Sequence, residues 1–413
     1  MNLKKKTSYL DRAIIIFLTI QVSLVSLSIA VSSIAFGIWL SLWFFQIIIE
    51  KKINFDKNLF AEIKLINIFI LLYVLFEIGS RFFAVYPEGA FINLKRLLLF
   101  LIFFVSIIKI LNYKTLEKIL FINICIVSII SVYELIKYSV KFNQLIYQMP
   151  FSEIRIDYFN YPLTTAEIKM MSLLSVFPLL FIKEKFIVSK KYLALILLPV
   201  FISMLLTQSR NVLLAVFICF FIFGIVSSRK FLLAFLVIVI MSSLILPSSY
   251  TQRVKSIFDL KHPSNESRLN MWETGLKIFI DHPLTGIADS HIKEIYETYR
   301  KAEAEGEGVH LHNNFIMILA TTGIFGFISF MGMFISIFIK QIKFYKKQLN
   351  ETYKMLILGS ILVMISFQIS GIFEWSFGDH EVMTVFFFLI SVPFVVWKLG
   401  NKLDLHEESG ETI

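Results

Sequence analysis

Apolar residues run along this chain in blocks of roughly 17 to 25, the length a helix needs to cross ~30 Å of hydrocarbon. The blocks follow one another almost end to end. Period-two alternation is not evident, which favours a helical bundle over an outer-membrane barrel. About twelve spans are expected, at 13–29, 31–49, 65–85, 97–112, 119–138, 166–182, 191–207, 212–228, 231–247, 314–339, 355–373 and 382–398. The first apolar run, Ala13 to Ile49, is too long for one crossing and reads as a hairpin turning near "SIAVSS", residues 28–33. It lacks a small-residue cleavage pattern ahead of a soluble domain, so it is expected to be retained as anchors.

The pattern divides the chain into nine spans over 1–246, a polar loop over 247–311, three further spans over 312–400 and a tail over 401–413. The long loop is neither low-complexity nor rich in Pro and Ser, and loops of that length usually carry function or disorder. Its middle, "SNESRLNMWETGLKIFIDHP", predicts a helix with Arg268, Trp272, Gly275 and Phe279 on one stripe, ended by Pro283. A shorter polar segment over 140–165 contains Tyr147, Tyr158 and Tyr161, which read as an interfacial belt or as surfaces for stacking sugars.

Composition fixes the class. With 57% hydrophobic and 17% charged residues and a mean hydropathy of +0.75, the chain is expected to be an all-α integral membrane protein, a polytopic bundle with one large, partly helical loop on the outer face. The net charge of +10 then follows from orientation. With both termini cytoplasmic, the inner segments collect Lys4, Lys5, Lys6, Lys51, Lys52, Lys340, Lys343, Lys346 and Lys347 among others. Nucleic-acid binding is an unnecessary reading, and anionic headgroups of the lipid bilayer are the alternative partner for these lysines. Cys125 and Cys219 lie inside apolar spans and read as packing residues. No internal repeat stands out, which weakly disfavours transporters built on repeats.

Several charges near the outer face need a reason. Arg210, in "TQSRN" between two spans, is either a snorkelling loop residue or a guanidinium fork aimed at a phosphate. Arg268, beside Trp272, is a second candidate, with a surface pair to Glu266 or Asp281 as its plain alternative. Glu77 and Arg81, four apart, are expected to pair, with Arg81 also a candidate for lining a site. Lys95 and Arg96 are outward cations that call for a local anion such as a lipid phosphate. His310 and His312 would point ~200° apart on a helix, and no nearby spacing completes a zinc set, so no metal is expected. An imidazole there suits proton transfer, while Asn313 or Asn314 would cap the next span. Glu303, Glu305 and Glu307, in "AEAEGEG", read as a solvated loop.

In this order the pieces resemble the bacterial O-antigen ligase family and its O-antigen polymerase relatives. The matching features are "TQSRN", "ESRLNMWETGLKIFIDHPLTG", and "HLHNN" followed by "GIFG", the last placing His312, Asn313, Gly323 and Gly326 at the family's His-Asn and Gly-x-x-Gly positions. One departure is Gly286, Ile287, Ala288, where many relatives show Gly-x-Gly. The resemblance implies a glycosyltransferase of the bacterial inner membrane with its site facing the periplasm. It would move a glycan from undecaprenyl diphosphate to lipid A-core or another glycan acceptor, without a cofactor. Arg210 and Arg268 would hold the diphosphate and His312 would serve the acceptor hydroxyl, with His310, Asn313 and Trp272 close by. A polymerase of lipid-linked repeats, a transferase to protein hydroxyls and a lipid-linked glycan transporter are the competing readings.

Overall fold

The computed structural model describes residues 9–50, 57–159, 161–184, 186–245, 251–252, 255–256, 259–301 and 308–408. Glu303, Glu305 and Glu307 lie outside them. No strand occurs among the described residues. In chain order the helices are α1 (Tyr9–Leu24), α2 (Ile29–Glu50), α3 (Lys57–Glu62), α4 (Lys64–Phe82), α5 (Phe100–Lys109), α6 (Tyr113–Leu145), α7 (Pro162–Val176) and α8 (Lys190–Leu206). There follow α9 (Arg210–Val226), α10 (Arg229–Ile245), α11 (Pro263–Asp281), α12 (Ile292–Tyr299), α13 (Asn314–Lys347), α14 (Glu351–Gly371) and α15 (His380–Glu408).

Each expected span falls on a helix. Seven helices among the described residues are long and apolar enough to cross a membrane: α2, α4, α6, α7 with its continuation to Phe181, α13, α14 and α15. The other five expected spans meet shorter helices, α1, α5, α8, α9 and α10, of 16, 10, 17, 17 and 17 residues. The largest departure is at 97–112, where a 3-10 segment, Ile92–Leu99, precedes only ten α-helical residues. The first hairpin turns at 25–28, slightly ahead of the expected place. There the Ser28 hydroxyl accepts from Val31 N at 3.4 Å and α2 begins at once. The last helix continues to Glu408, through much of the expected tail.

Local chemistry starts the helices where they start. Asn112, Asn313 and Asn350 each accept a backbone N–H of the first turn, and Pro162 stands where its missing N–H costs nothing. Helix α15 is the axis of the bundle, packed on α5, α7 and α14 and buried almost throughout its span, whereas α2 faces mostly outward. Between helices in lipid the apolar effect supplies little, so tight packing and buried polar contacts must hold the bundle. Phe367 and Phe386 stack at 3.9 Å, and Lys169 binds both Glu134 and Ser203 (2.7 Å), joining α6, α7 and α8. Cys219 is buried, with its Sγ 3.4 Å from Leu362 O of α14, and both cysteines are free thiols.

The polar segment after α11 meets α13 through backbone hydrogen bonds. Gly323 breaks α13 with φ 67°, and Ile324 N donates to Pro283 O at 2.8 Å. Ile287 N and Ala288 N donate to Ala320 O and Thr321 O at 3.1 and 3.0 Å. A Cβ at Gly323 would lie 2.5 Å from the Leu284 carbonyl, and one at Gly286 (φ 66°) 2.3 Å from Thr321 C, so only glycine permits this approach. Ala288, where the resemblance led us to expect glycine, adopts the left-handed conformation regardless (φ 62°), at a cost of roughly 1–2 kcal/mol. A four-charge cluster adds to this seat. Arg81 binds Glu77 and Asp289, and Arg96 binds the same two carboxylates at 2.7 and 2.5 Å.

Candidate active site

A basin of about 470 Å³ opens where three polar segments meet. Its wall includes Arg210, Arg268 and His312, together with Glu153, Arg155, Asp157 and Tyr161. The "TQSRN" turn is fixed from below before it presents its arginine. Gln208, in the left-handed region (φ 54°), donates its side-chain amide to Phe151 O and Ile154 O at 2.9 and 3.0 Å. Arg155 returns hydrogen bonds to Thr207 O and Gln208 O at 3.0 and 3.2 Å. Arg210 then opens α9, and Asn211 beside it points into the bundle, to Ser370 Oγ at 2.8 Å. Beneath lies Glu167, a buried carboxylate accepting from Ser370 and from Ser376 (2.8 Å).

The two arginines sit side by side. Arg210 donates to Ser256 O and Oγ at 3.1 and 3.0 Å, and it shares the Ser264 hydroxyl with Arg268, at 2.8 and 3.4 Å. No ion pair to a carboxylate is recorded for Arg268, and its buried Nε has no hydrogen-bond partner among the described residues. Burial pulls its pKa below the usual guanidinium value, against the attraction of Glu374 and Tyr161. A half-buried cation this poorly satisfied is suited to receive an anion.

His312 reaches the basin from the turn before α13, at φ 43°, in a conformation that costs a non-glycine residue energy. The geometry that separates i and i+2 on a helix therefore does not apply, and the rings of His310 and His312 meet edge to face at 4.1 Å. Trp272 Nε1 donates to His312 O at 3.4 Å. Glu374, which the sequence reading did not single out, brackets His312 Nδ1 with both carboxylate oxygens, at 3.0 and 3.1 Å. Burial opposes ionisation of Glu374, yet its hydrogen bond to His312 and the nearby imidazoles hold its pKa below the ordinary value. An ionised carboxylate only accepts, so in neutral His312 the proton belongs on Nδ1 and Nε2 keeps the lone pair.

Burial, reinforced by His312 and Arg268 and opposed by Glu374, pushes His310 down to about 4. The folded loop thus refuses a proton that the unfolded chain accepts below about pH 6.5, so stability is lost as pH falls through this window. We expect the thermal midpoint of purified protein to drop between pH 7 and pH 5, and His310→Gln to remove part of that drop. Identical pH dependence in both proteins would contradict this.

The sequence reading missed a further grouping here. His310, His312 and Glu374 offer three potential ligand atoms within 4.8 Å of one another. Spacing along the chain could not reveal it, because Glu374 stands 62 positions after His312. Other candidates lie elsewhere. Asn313 caps α13, accepting from Phe315 N and Ile316 N at 2.8 and 3.0 Å and donating to Ile372 O at 2.9 Å, which positions His312 but spends its side chain. Arg81 and Arg96 are engaged with Glu77 and Asp289 away from the basin, and Lys95 is exposed outside it. Tyr161 does line the basin, while Tyr147 is fully exposed.

Comparison with known proteins meets this geometry. A protein-family model described as O-Antigen ligase matches residues 193–331, which contain Arg210, Arg268, His310, His312 and the Gly323 break. The teichuronic acid biosynthesis protein TuaE of Bacillus subtilis (strain 168) is 25% identical over 134 residues, 32% of this chain and 26% of its own length. The similarity thus spans about a quarter of that relative.

Proposed function

From a chain that carries an O-antigen ligase domain over residues 193–331, we propose a membrane glycosyltransferase that moves a glycan from undecaprenyl diphosphate to an acceptor hydroxyl at the periplasmic face. The reading rests on one observation above all: Arg210 and Arg268 share the Ser264 hydroxyl in a basin with His312, whose Nδ1 is held by Glu374.

The donor already contains its leaving group. What remains is to take the proton from the incoming hydroxyl and to neutralise charge on the departing diphosphate. His312 Nε2 accepts that proton, the acceptor oxygen bonds to the anomeric carbon, and the bond from that carbon to the diphosphate oxygen breaks. The paired guanidiniums receive the charge that develops, in place before it forms. Attack from the opposite face inverts the anomeric centre. Tyr161 offers a ring for a sugar, and Glu153 and Asp157 offer acceptors for its hydroxyls.

Glu374 orients the imidazole and stabilises the imidazolium. Glu374→Gln is expected to lower turnover by ~10- to 100-fold with little change in KM, as befits a group that acts through another. A pure KM effect would argue against this role.

Ligation to lipid A-core is the principal reading. A polymerase of lipid-linked repeats is the second, favoured by the similarity to a protein named for teichuronic acid biosynthesis. The decisive experiment reconstitutes the protein in liposomes with undecaprenyl diphosphate-linked glycan and lipid A-core, and follows free carrier and product size. Glycosylated lipid A-core means ligase, and lengthened carrier-linked chains mean polymerase. No carrier release with either acceptor would reject both. Loss of transfer in chelator, restored by a divalent metal, would replace the metal-free mechanism with one through His310, His312 and Glu374.

A further inference from the structure

At the other end of the bundle from the basin, a groove of about 570 Å³ runs between α1 and the first half of α6. Its lining is largely apolar and includes Ile16, Ile20, Ile122 and Ile126, with Arg12 and Lys109 at one end and Lys118 partway along α6. Helix α6 carries the separation: it starts beside this charged end and finishes at Leu145, against the Met149 and Ile154 segment that leads to the basin.

The dimensions are those of a single leaflet. From Arg12 to Leu24 the groove follows twelve residues of α1, about 18 Å at 1.5 Å per residue, against ~15 Å for half of a ~30 Å hydrocarbon core. The hydroxyl of Thr19 inside it is satisfied by Ile15 O at 2.7 Å, and the buried hydroxyl of Ser23 is the other polar group that α1 turns to the apolar part of the wall. The charged end is net positive. Lys109 is neutralised by Asp11 (2.6 Å), with Gln46 Oε1 at 2.5 Å, which leaves Arg12 and Lys118, both exposed, as the cations of the groove, with Asn112 and Thr115 also lining it. Of the other charges nearby, Lys114 adds to the positive field, Glu50 accepts from Gln46 (2.7 Å) behind Lys109, and Glu117 meets Tyr353 (3.4 Å) on another face of α6.

We propose that this groove is a binding site for an anionic diacyl phospholipid, one acyl chain lying between α1 and α6 and the phosphate held by Arg12 and Lys118. Cations closing an apolar groove between helices are the arrangement that recognises such headgroups. With the termini cytoplasmic, the lipid belongs to the cytoplasmic leaflet. The eleven-isoprene chain of the glycan carrier is far longer than a one-leaflet groove, which argues for an acyl chain. The site is independent of the transfer chemistry.

The test is native mass spectrometry of the full-length protein, delipidated in detergent and titrated with phosphatidylglycerol or phosphatidylcholine of identical chains. Phosphatidylglycerol should bind at least ten-fold more tightly. Reversing both charges, Arg12→Glu with Lys118→Glu, should erase that preference, and Ile122→Trp should weaken both lipids by filling the groove. If charge reversal prevents folding, Arg12→Gln with Lys118→Gln carries the same expectation. Equal binding of the two lipids, or a preference that survives neutralisation, overturns the proposal. So does displacement of phosphatidylglycerol by an equal concentration of undecaprenyl phosphate, or much tighter lipid binding once residues 1–8 are removed, which would make that segment the occupant.

Discussion

With His312 replaced by alanine, release of carrier from the lipid-linked donor is expected to fall by about 10² to 10⁴, the usual worth of a general base, while the protein remains folded in the membrane. The structure separates the two effects. The Trp272 bond is to the backbone oxygen of His312 and survives the change, and Asn313 caps α13 with its own side chain. The side chain removed is half-exposed, with Glu374 as its hydrogen-bond partner. His312→Gln should be as inactive as the alanine variant, since it can still donate to Glu374 but has no basic nitrogen. Imidazole added to the alanine variant should restore part of the rate. A glutamine variant with near-normal turnover would remove His312 from the chemistry.

The second large effect belongs to Arg268. Its buried Nε is unsatisfied among the described residues and burial already disfavours its charge, so its position costs the free protein stability that a bound anion would offset. Arg268→Met keeps the length of the stem, and is expected to lose transfer by about 10² or more with a thermal midpoint unchanged or raised. Arg210→Lys should also lose much activity, because a point charge replaces a fork that now spans Ser256 and Ser264. Arg81 supplies the contrast. It is buried between Glu77 and Asp289, and Arg81→Met should destabilise the protein by about 3–5 kcal/mol, as breaking a buried ion pair does. An Arg268 variant as unstable as the Arg81 variant, measured by thermal unfolding in detergent, would make Arg268 structural.

What was legible in the sequence was whatever is encoded locally. The apolar blocks, the helix ending ahead of Pro283 and the Asn313 cap each depend on neighbours within a few positions, and each is found near its expected place. The 3-10 stretch Ile92–Leu99 was missed because its last three leucines continue the apolar run after them, and nothing in a hydropathy pattern separates the two backbones. Helix α12 is short and polar, with Ile292, Ile295, Tyr296 and Tyr299 as its apolar face. The site divides in the same way. Arg210 and His312 stood out as polar groups beside apolar runs and Arg268 as a cation beside Trp272, and the three line one basin. Glu374 lies in a short turn, and its role depends on a contact across 62 residues. Arg81 and Arg96 stood out for the same reason as the basin arginines, and only the position of Asp289, 208 residues after Arg81, separates the groups.

That distance also sets an order of assembly. When α4 and the Ile92–Leu99 segment enter the membrane, Glu77 is the only carboxylate of the four-charge cluster yet made, and it faces two guanidiniums. The second carboxylate, Asp289, is synthesised only after the chain has delivered most of the bundle, and it arrives on the polar loop that α13 must then seat through Gly323. The early bundle is therefore held one charge short until the loop comes down beside it. Closing that deficit fastens the loop on the side of α4, at a point in the chain that follows both Arg210 and Arg268.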